Sequence, residues 1–168
     1  LLGQDENLAA LEMAGMGGEF EATEDLRIAL TGAPMPASVD GARVAWNASH
    51  LVPKGARLKV GAAETGTYGY LHIGGGVDAP LVLGGRGAHL ASGIGAPLKM
   101  GDRLSVGPDW KDQIGMKISA EDRYGGGTVR IVPSLQTDLF SNDERARFEM
   151  TAFQRDARGN RMGVRLEP

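Results

Sequence analysis

The sequence predicts a β-rich, barrel-like domain with two short helices. Three observations carry that prediction. Short runs alternate apolar and polar residues, glycine-rich turns separate them, and only two stretches have helical character. The length of 168 residues suits one domain over residues 1–168, or two small lobes sharing a core. Hydrophobic residues make up 42% of the chain but aromatics only 5%, so aliphatic side chains and alanine must fill the interior.

The first helix candidate is residues 5–13. Asp5 is placed to cap it, and Leu8 and Leu11 lie near one face. Leu26, Ile28 and Leu30 then alternate with Arg27 and Ala29, which reads as a half-buried strand. Thr31-Gly32-Ala33-Pro34 turns the chain. Asp40-Gly41 suits a type I′ hairpin turn, with residues 43–46 as the return strand. The run 55–61 (GARLKVG) is echoed at 101–107 (GDRLSVG), and both read as a turn feeding a strand, with Arg57 and Arg103 facing solvent.

Residues 68–95 are the most distinctive stretch. Tyr68, Tyr70 and His72 alternate with Gly69, Leu71 and Ile73, which is strand periodicity. Gly74-Gly75-Gly76 ends that strand and lets another backbone or a ligand come close. Gly84-Gly85-Arg86-Gly87 then sets one cation on a bare backbone. Two readings stay open. Arg86 can be the fork of an anion site with neighbouring amides as a nest, or the stretch can be a pair of tight turns.

Residues 107–127 read as a long mobile or functional loop. A short strand is expected over 128–132. Ser141-Asn142-Asp143-Glu144 fits a capping box, opening a helix to about Phe153 with Ala146, Met150 and Phe153 buried. In the tail, Val164 and Leu166 are expected to face a core and Arg165 and Glu167 the other side.

Composition excludes several classes of function. A net charge of −3, from 18 basic and 21 acidic residues, argues against a nucleic-acid partner. There is no cysteine, and the three histidines lack metal-ligand spacing, so no metal site is expected. No run reaches the roughly 18–20 apolar residues of a membrane span, and no signal peptide is visible, so a cytoplasmic setting is expected. The start at Leu1 reads as a fragment of a longer protein. Neither G-x-x-x-x-G-K-[ST] nor G-x-S-x-G occurs, which removes phosphate-loop and serine-triad chemistry.

The run YLHIGGGVDAPLVLG, the arginine-bearing turn and LASGIG at 90–95 resemble the allophanate hydrolase subunit 2 family. That family includes the C subunit of 5-oxoprolinase and the carboxyltransferase region of urea amidolyase. NLAALE at 7–12, IALTGA at 28–33, Gln136 with Asp138 and Phe140, and NRMGVRLE at 160–167 follow the same order. The resemblance implies a cyclophilin-like β-barrel. It also implies an enzyme part that works with a subunit 1 homologue in a heteromer on a small amide or ureido substrate. The reaction would be carboxyl transfer from carboxybiotin to urea or ATP-dependent opening of 5-oxoproline. ATP or carboxybiotin would come through partner subunits, with no cofactor held by this chain, and the chain alone would be inactive.

Both reactions develop negative charge on a carbonyl oxygen, which fixed cations stabilise. The residues matching the family's motifs are Arg86, Arg161 and Arg165 for catalysis, and Gly85, Gly87, Gln136 and Met162 for substrate binding. Arg86 is expected to share a concave surface with Arg161 or Arg165. Glu12, Asp138 and Glu167 match family positions, but the general base is not identified. The family usually has hydroxyl residues where Gly85 and Gly87 stand, and Gly-Pro where Ser134 and Leu135 stand. The alternative is a non-catalytic regulatory module that pairs with a subunit 1-type kinase inhibitor homologue.

Overall fold

In the computed structural model, which describes residues 1–120, 128, 130–156, 159 and 163–168, the chain divides into two units, Leu1–Gly126 and Gly127–Pro168. The strands of the first unit are β1 Leu11–Ala14, β2 Glu19–Glu21, β3 Leu26–Gly32, β4 Ala37–Val39, β5 Ala42–Val44, β6 Ala48–Val52, β7 Arg57–Val60 and β8 Tyr68–Ile73. They form two antiparallel four-stranded sheets, ordered β1-β8-β3-β6 and β2-β7-β4-β5.

The two sheets share one core. Met13, Ile28, Leu30, Val52, Leu71 and Ile73 come from the first sheet, and Ala37, Leu58 and Val60 from the second. Alternation decides which side chains enter. Leu30 is paired with both Leu71 and Ala48, and all three are buried. The Asp40-Gly41 turn forms as expected. Both residues have positive φ, 46° and 82°, and β4 and β5 leave it in register. The return strand is shorter than expected and ends at Val44.

The barrel is overturned, although the mainly β class stands. The sheets do not close on each other: β1 and β6 end the first sheet, and β2 and β5 end the second. Closure needs every edge strand to find a partner strand. The segments that could have supplied more strands do not extend. In the second GxRLxVG copy only Val106 makes a bridge, to Val77. Residues 128 and 130–132 are irregular, and Val129 lies outside the described residues.

The helix expected over 5–13 is also absent. The Asp5 carboxylate accepts from the Asn7 backbone N–H at 2.8 Å, which caps a turn and no more. Residues 11–14 pair instead with β8, with Leu11 opposite Leu71. Burying Leu11 and Met13 against the sheet outweighs their helix propensity.

In the second unit a 3-10 turn, Thr137–Leu139, precedes α1, Asn142–Met150, and a two-stranded ribbon of β9 Gln154–Arg155 and β10 Leu166–Glu167. The capping box is present: Ser141 N–H donates to Glu144 Oε2 at 2.8 Å, and Glu144 N–H donates to Ser141 Oγ at 3.3 Å. No residue of α1 is buried. Ala146 and Met150 are not buried, contrary to expectation, and Phe153 is half-buried with its ring 5.1 Å from that of Phe148. Val164 and Leu166 are exposed too, so neither faces a core, contrary to expectation. Among the described residues no helix is long and apolar enough to cross a membrane.

Candidate functional site

Arg86 sits at the end of a tight hairpin. Val82 and Gly85 exchange both backbone hydrogen bonds, at 2.8 and 3.0 Å. Leu83 and Gly84 between them have φ of 52° and 80°, the I′ pattern. The Arg86 guanidinium is exposed and donates to the Ala79 carbonyl, so one of its donors fastens the hairpin. An added Cβ at Gly87 would meet nothing within 4 Å, and one at Gly85 only the Val82 carbonyl oxygen at 3.9 Å. The turn therefore leaves open space around the cation.

Gln136 precedes the 3-10 turn and is exposed, and its carbonyl accepts from Leu139 N–H at 3.1 Å. Arg145 donates to Asp138 at 3.0 Å. Arg165 is exposed, with Nε 3.9 Å from Glu167 Oε1, and its carbonyl accepts from Asp156 N–H at 2.9 Å. Arg161 and Met162 lie outside the described residues. Arg86 belongs to the first unit, and Gln136 and Arg165 to the second. Among the described residues no group of three or more His, Asp or Glu is placed to hold a metal ion.

The stretch around Tyr70 forms the polar face of the first sheet. Register puts Glu12, Tyr70 and Thr31 in one row, and His72, Ala29 and Ser49 in the next. Thr31 Oγ1 and His72 Nε2 are 3.0 Å apart, and the Tyr70 and His72 rings are 6.3 Å apart. Burial of the ring lowers the His72 pKa from 6.5. At neutral pH the ring is uncharged and chemically a proton acceptor.

A lowered histidine pKa has a defined consequence for stability. The unfolded chain takes up this proton more readily than the folded one. Stability is therefore full above 6.5 and is lost as pH falls through that value towards the folded pKa. In His72→Gln, which can still bond Thr31, the urea midpoint should change less between about pH 7.5 and about pH 5.5 than in wild type. An equal change in both proteins would place the proton uptake elsewhere.

Sequence reading missed the buried ion pair of the first unit. Arg27 is 6% exposed on β3. Its Nε and Nη2 donate to the two Asp109 carboxylate oxygens, each at 2.7 Å. Its Nη1 donates to the Gln113 carbonyl at 2.7 Å, and Nη2 also reaches the Leu2 carbonyl at 3.3 Å. The alternation of β3 placed Arg27 on an open face, but the partner lies 82 residues away with no local sign in the sequence. Arg27 holds the Asp109 carboxyl below its ordinary range by hydrogen bonding to it. A cavity of about 530 Å³ opens beside the pair, lined by Leu26, Gly74, Pro108, Lys111 and Asp112 among others. The guanidinium is already committed to its internal partners.

The whole chain, residues 1–168, matches the family described as carboxyltransferase domain, subdomain A and B. It is 33% identical, over 99% of its length, to the C subunit of 5-oxoprolinase from Escherichia coli (strain K12). It spans about half the length of the curated relatives it matches, 55% in each case. The crystal structure of TTHA0988 superposes with a TM-score of 0.89 at 28% identity, covering 99% of this chain and 62% of that one. The structure of the K. lactis urea amidolyase gives a TM-score of 0.72 at 26% identity, covering 95% of this chain and 11% of that one.

Proposed function

Because this chain belongs to the carboxyltransferase domain family, subdomains A and B, alongside the C subunit of 5-oxoprolinase and the carboxyltransferase region of urea amidolyase, we propose that it serves a multi-subunit cytoplasmic enzyme acting on an amide-like carbonyl. The substrate we favour is 5-oxoproline, opened at the expense of ATP. One observation carries that preference: the identity to the 5-oxoprolinase C subunit is 33% and runs over 99% of the chain. The urea amidolyase structure, at 26% identity, makes carboxyl transfer from carboxybiotin to urea the second choice.

In this reading a subunit 1 homologue completes the enzyme, and ATP is handled by partner subunits. Opening the lactam breaks its C–N bond, with water supplying hydroxyl to the carbon and a proton to the nitrogen. The carbonyl oxygen gains negative charge on the way. Arg86, Arg161 and Arg165 are assigned to substrate charge, Gln136 to a neutral donor, Gly85 and Gly87 to room for the ligand, and Met162 to substrate binding. The exposed guanidinium of Arg86, on a turn with open space around it, supports its part of this assignment.

The test is co-purification of the full-length protein with its subunit 1 partner. It is followed by assays of 5-oxoproline with ATP and of urea with carboxybiotin. We expect 5-oxoproline-dependent ATP hydrolysis from the complex and none from this chain alone. Turnover with urea only would move the assignment to the second choice. Partner binding without turnover of either substrate would favour the regulatory reading. Robust turnover by the isolated chain would remove the need for a partner.

A further inference from the structure

The outer face of the second sheet carries an arrangement that the proposed reaction does not use. Ser38 on β4 is in register with Lys59 on β7 and with Arg43 on β5. The three side chains therefore leave the same face of three adjacent strands, with about 4.8 Å from strand to strand. Together with Pro36, Gly61 and Glu64 they line a cavity of about 470 Å³. Its floor is tight, since Gly61 N–H donates to the Pro36 carbonyl at 2.8 Å and a Cβ at Gly61 would meet Pro36 Cγ at 2.9 Å.

The neighbouring carboxylates form no ion pair with this group among the described residues. Glu19 is the cross-strand neighbour of Lys59, yet its carboxylate lies 3.3 Å from Arg57, and Glu21 lies 3.6 Å from the same arginine. Among the described residues, Arg43 and Lys59 make no ion pair or side-chain hydrogen bond, and Glu64 in the cavity wall pairs with neither. Two cations thus flank one hydroxyl in a concavity walled on one side by proline.

We propose that this cavity binds a small oxyanion, a carboxylate or phosphate group, between Arg43 and Lys59. Arg43 supplies a planar fork that can take two oxygens at once, Lys59 supplies a compact charge, and the Ser38 hydroxyl donates a third hydrogen bond. The inference is independent of the reaction assigned above and holds for either substrate.

The test titrates the isotope-labelled chain with sodium phosphate and, separately, with sodium acetate, each against sodium chloride at matched ionic strength. At least one oxyanion should give saturable amide shifts centred on Ser38, Arg43 and Lys59. Binding should weaken about tenfold or more in Arg43→Gln/Lys59→Gln. A response to phosphate alone identifies a phosphate-bearing ligand, and any response to acetate identifies a carboxylate. If the double variant does not fold, Ser38→Ala reads the same site and should weaken binding too. Shifts no different from those in chloride, or binding that survives the substitutions unchanged, would overturn the proposal.

Discussion

Arg27→Met should lower the stability of the chain by about 2–4 kcal/mol, read as a fall in the urea midpoint at constant slope. The methionine fills much of the arginine's volume, so packing is nearly kept while the fork is lost. Asp109 then loses both of its bonds to Arg27, and the Gln113 and Leu2 carbonyls lose their donors. The Asp109 side chain is 22% exposed and can partly rehydrate, which keeps the cost below that of a fully enclosed pair. The acid limb should change as well. Asp109 has a folded pKa below its ordinary 3.8, so its contribution is present above that value and lost as pH falls through the folded pKa. The variant should show less of that loss, since the bond from Lys111 N–H at 3.1 Å is the smaller cause that remains. A stability change under about 0.5 kcal/mol, the range of ordinary surface substitutions, would show that the ion pair does not fasten residues 107–113 to the sheet.

Gly75→Ala should cost about 3 kcal/mol or more, because two penalties coincide. Gly75 has φ of +80°, and its added Cβ would run into the Gly107 carbonyl oxygen and fall 2.5 Å from the carbonyl carbon. Those are backbone atoms, held by the hydrogen bond from Gly107 N–H to the Gly76 carbonyl at 3.0 Å. Neither can swing aside as a side chain would. Gly84→Ala is the control: φ is also +80°, but nothing lies within 4 Å. It should cost about 1 kcal/mol, the conformational penalty alone. Equal costs at the two glycines would mean that residues 107–109 yield freely.

These two sites meet at one place, and they show what the sequence could and could not reveal. Gly74-Gly75-Gly76 was legible as a position where another backbone comes close, and Gly107 and Asp109 are what comes close. The alternation of Tyr68, Tyr70 and His72 was legible because β8 has one face on the core and one half-exposed. The Asp40-Gly41 turn and the Ser141 box were legible because their chemistry is local. Arg27 was not, because burial of the second face of β3 depends on residues 2, 109 and 113, remote in the chain. Closure of a barrel was misjudged for a related reason. Residues 55–61 and 101–107 share a pattern, but only the first finds strands to pair with, β2 and β4. Of the candidate site, the turn at Arg86 could be read from its glycines. The bond from Arg86 to Ala79 could not, since it depends on how the hairpin folds back.

If the arginines meet the substrate, their removal should be read in the turnover of the assembled enzyme. The measurement is kcat/KM for the proposed ATP-dependent 5-oxoproline hydrolysis by the full-length protein with the proposed subunit 1 partner, compared among wild type, Arg86→Ala and Arg165→Ala. Both arginines are exposed, so the variants should fold as wild type does. Each substitution should lower kcat/KM about tenfold or more, the loss of a hydrogen bond to a charged group. Wild-type kcat/KM in both variants would contradict the assignment of these arginines to substrate.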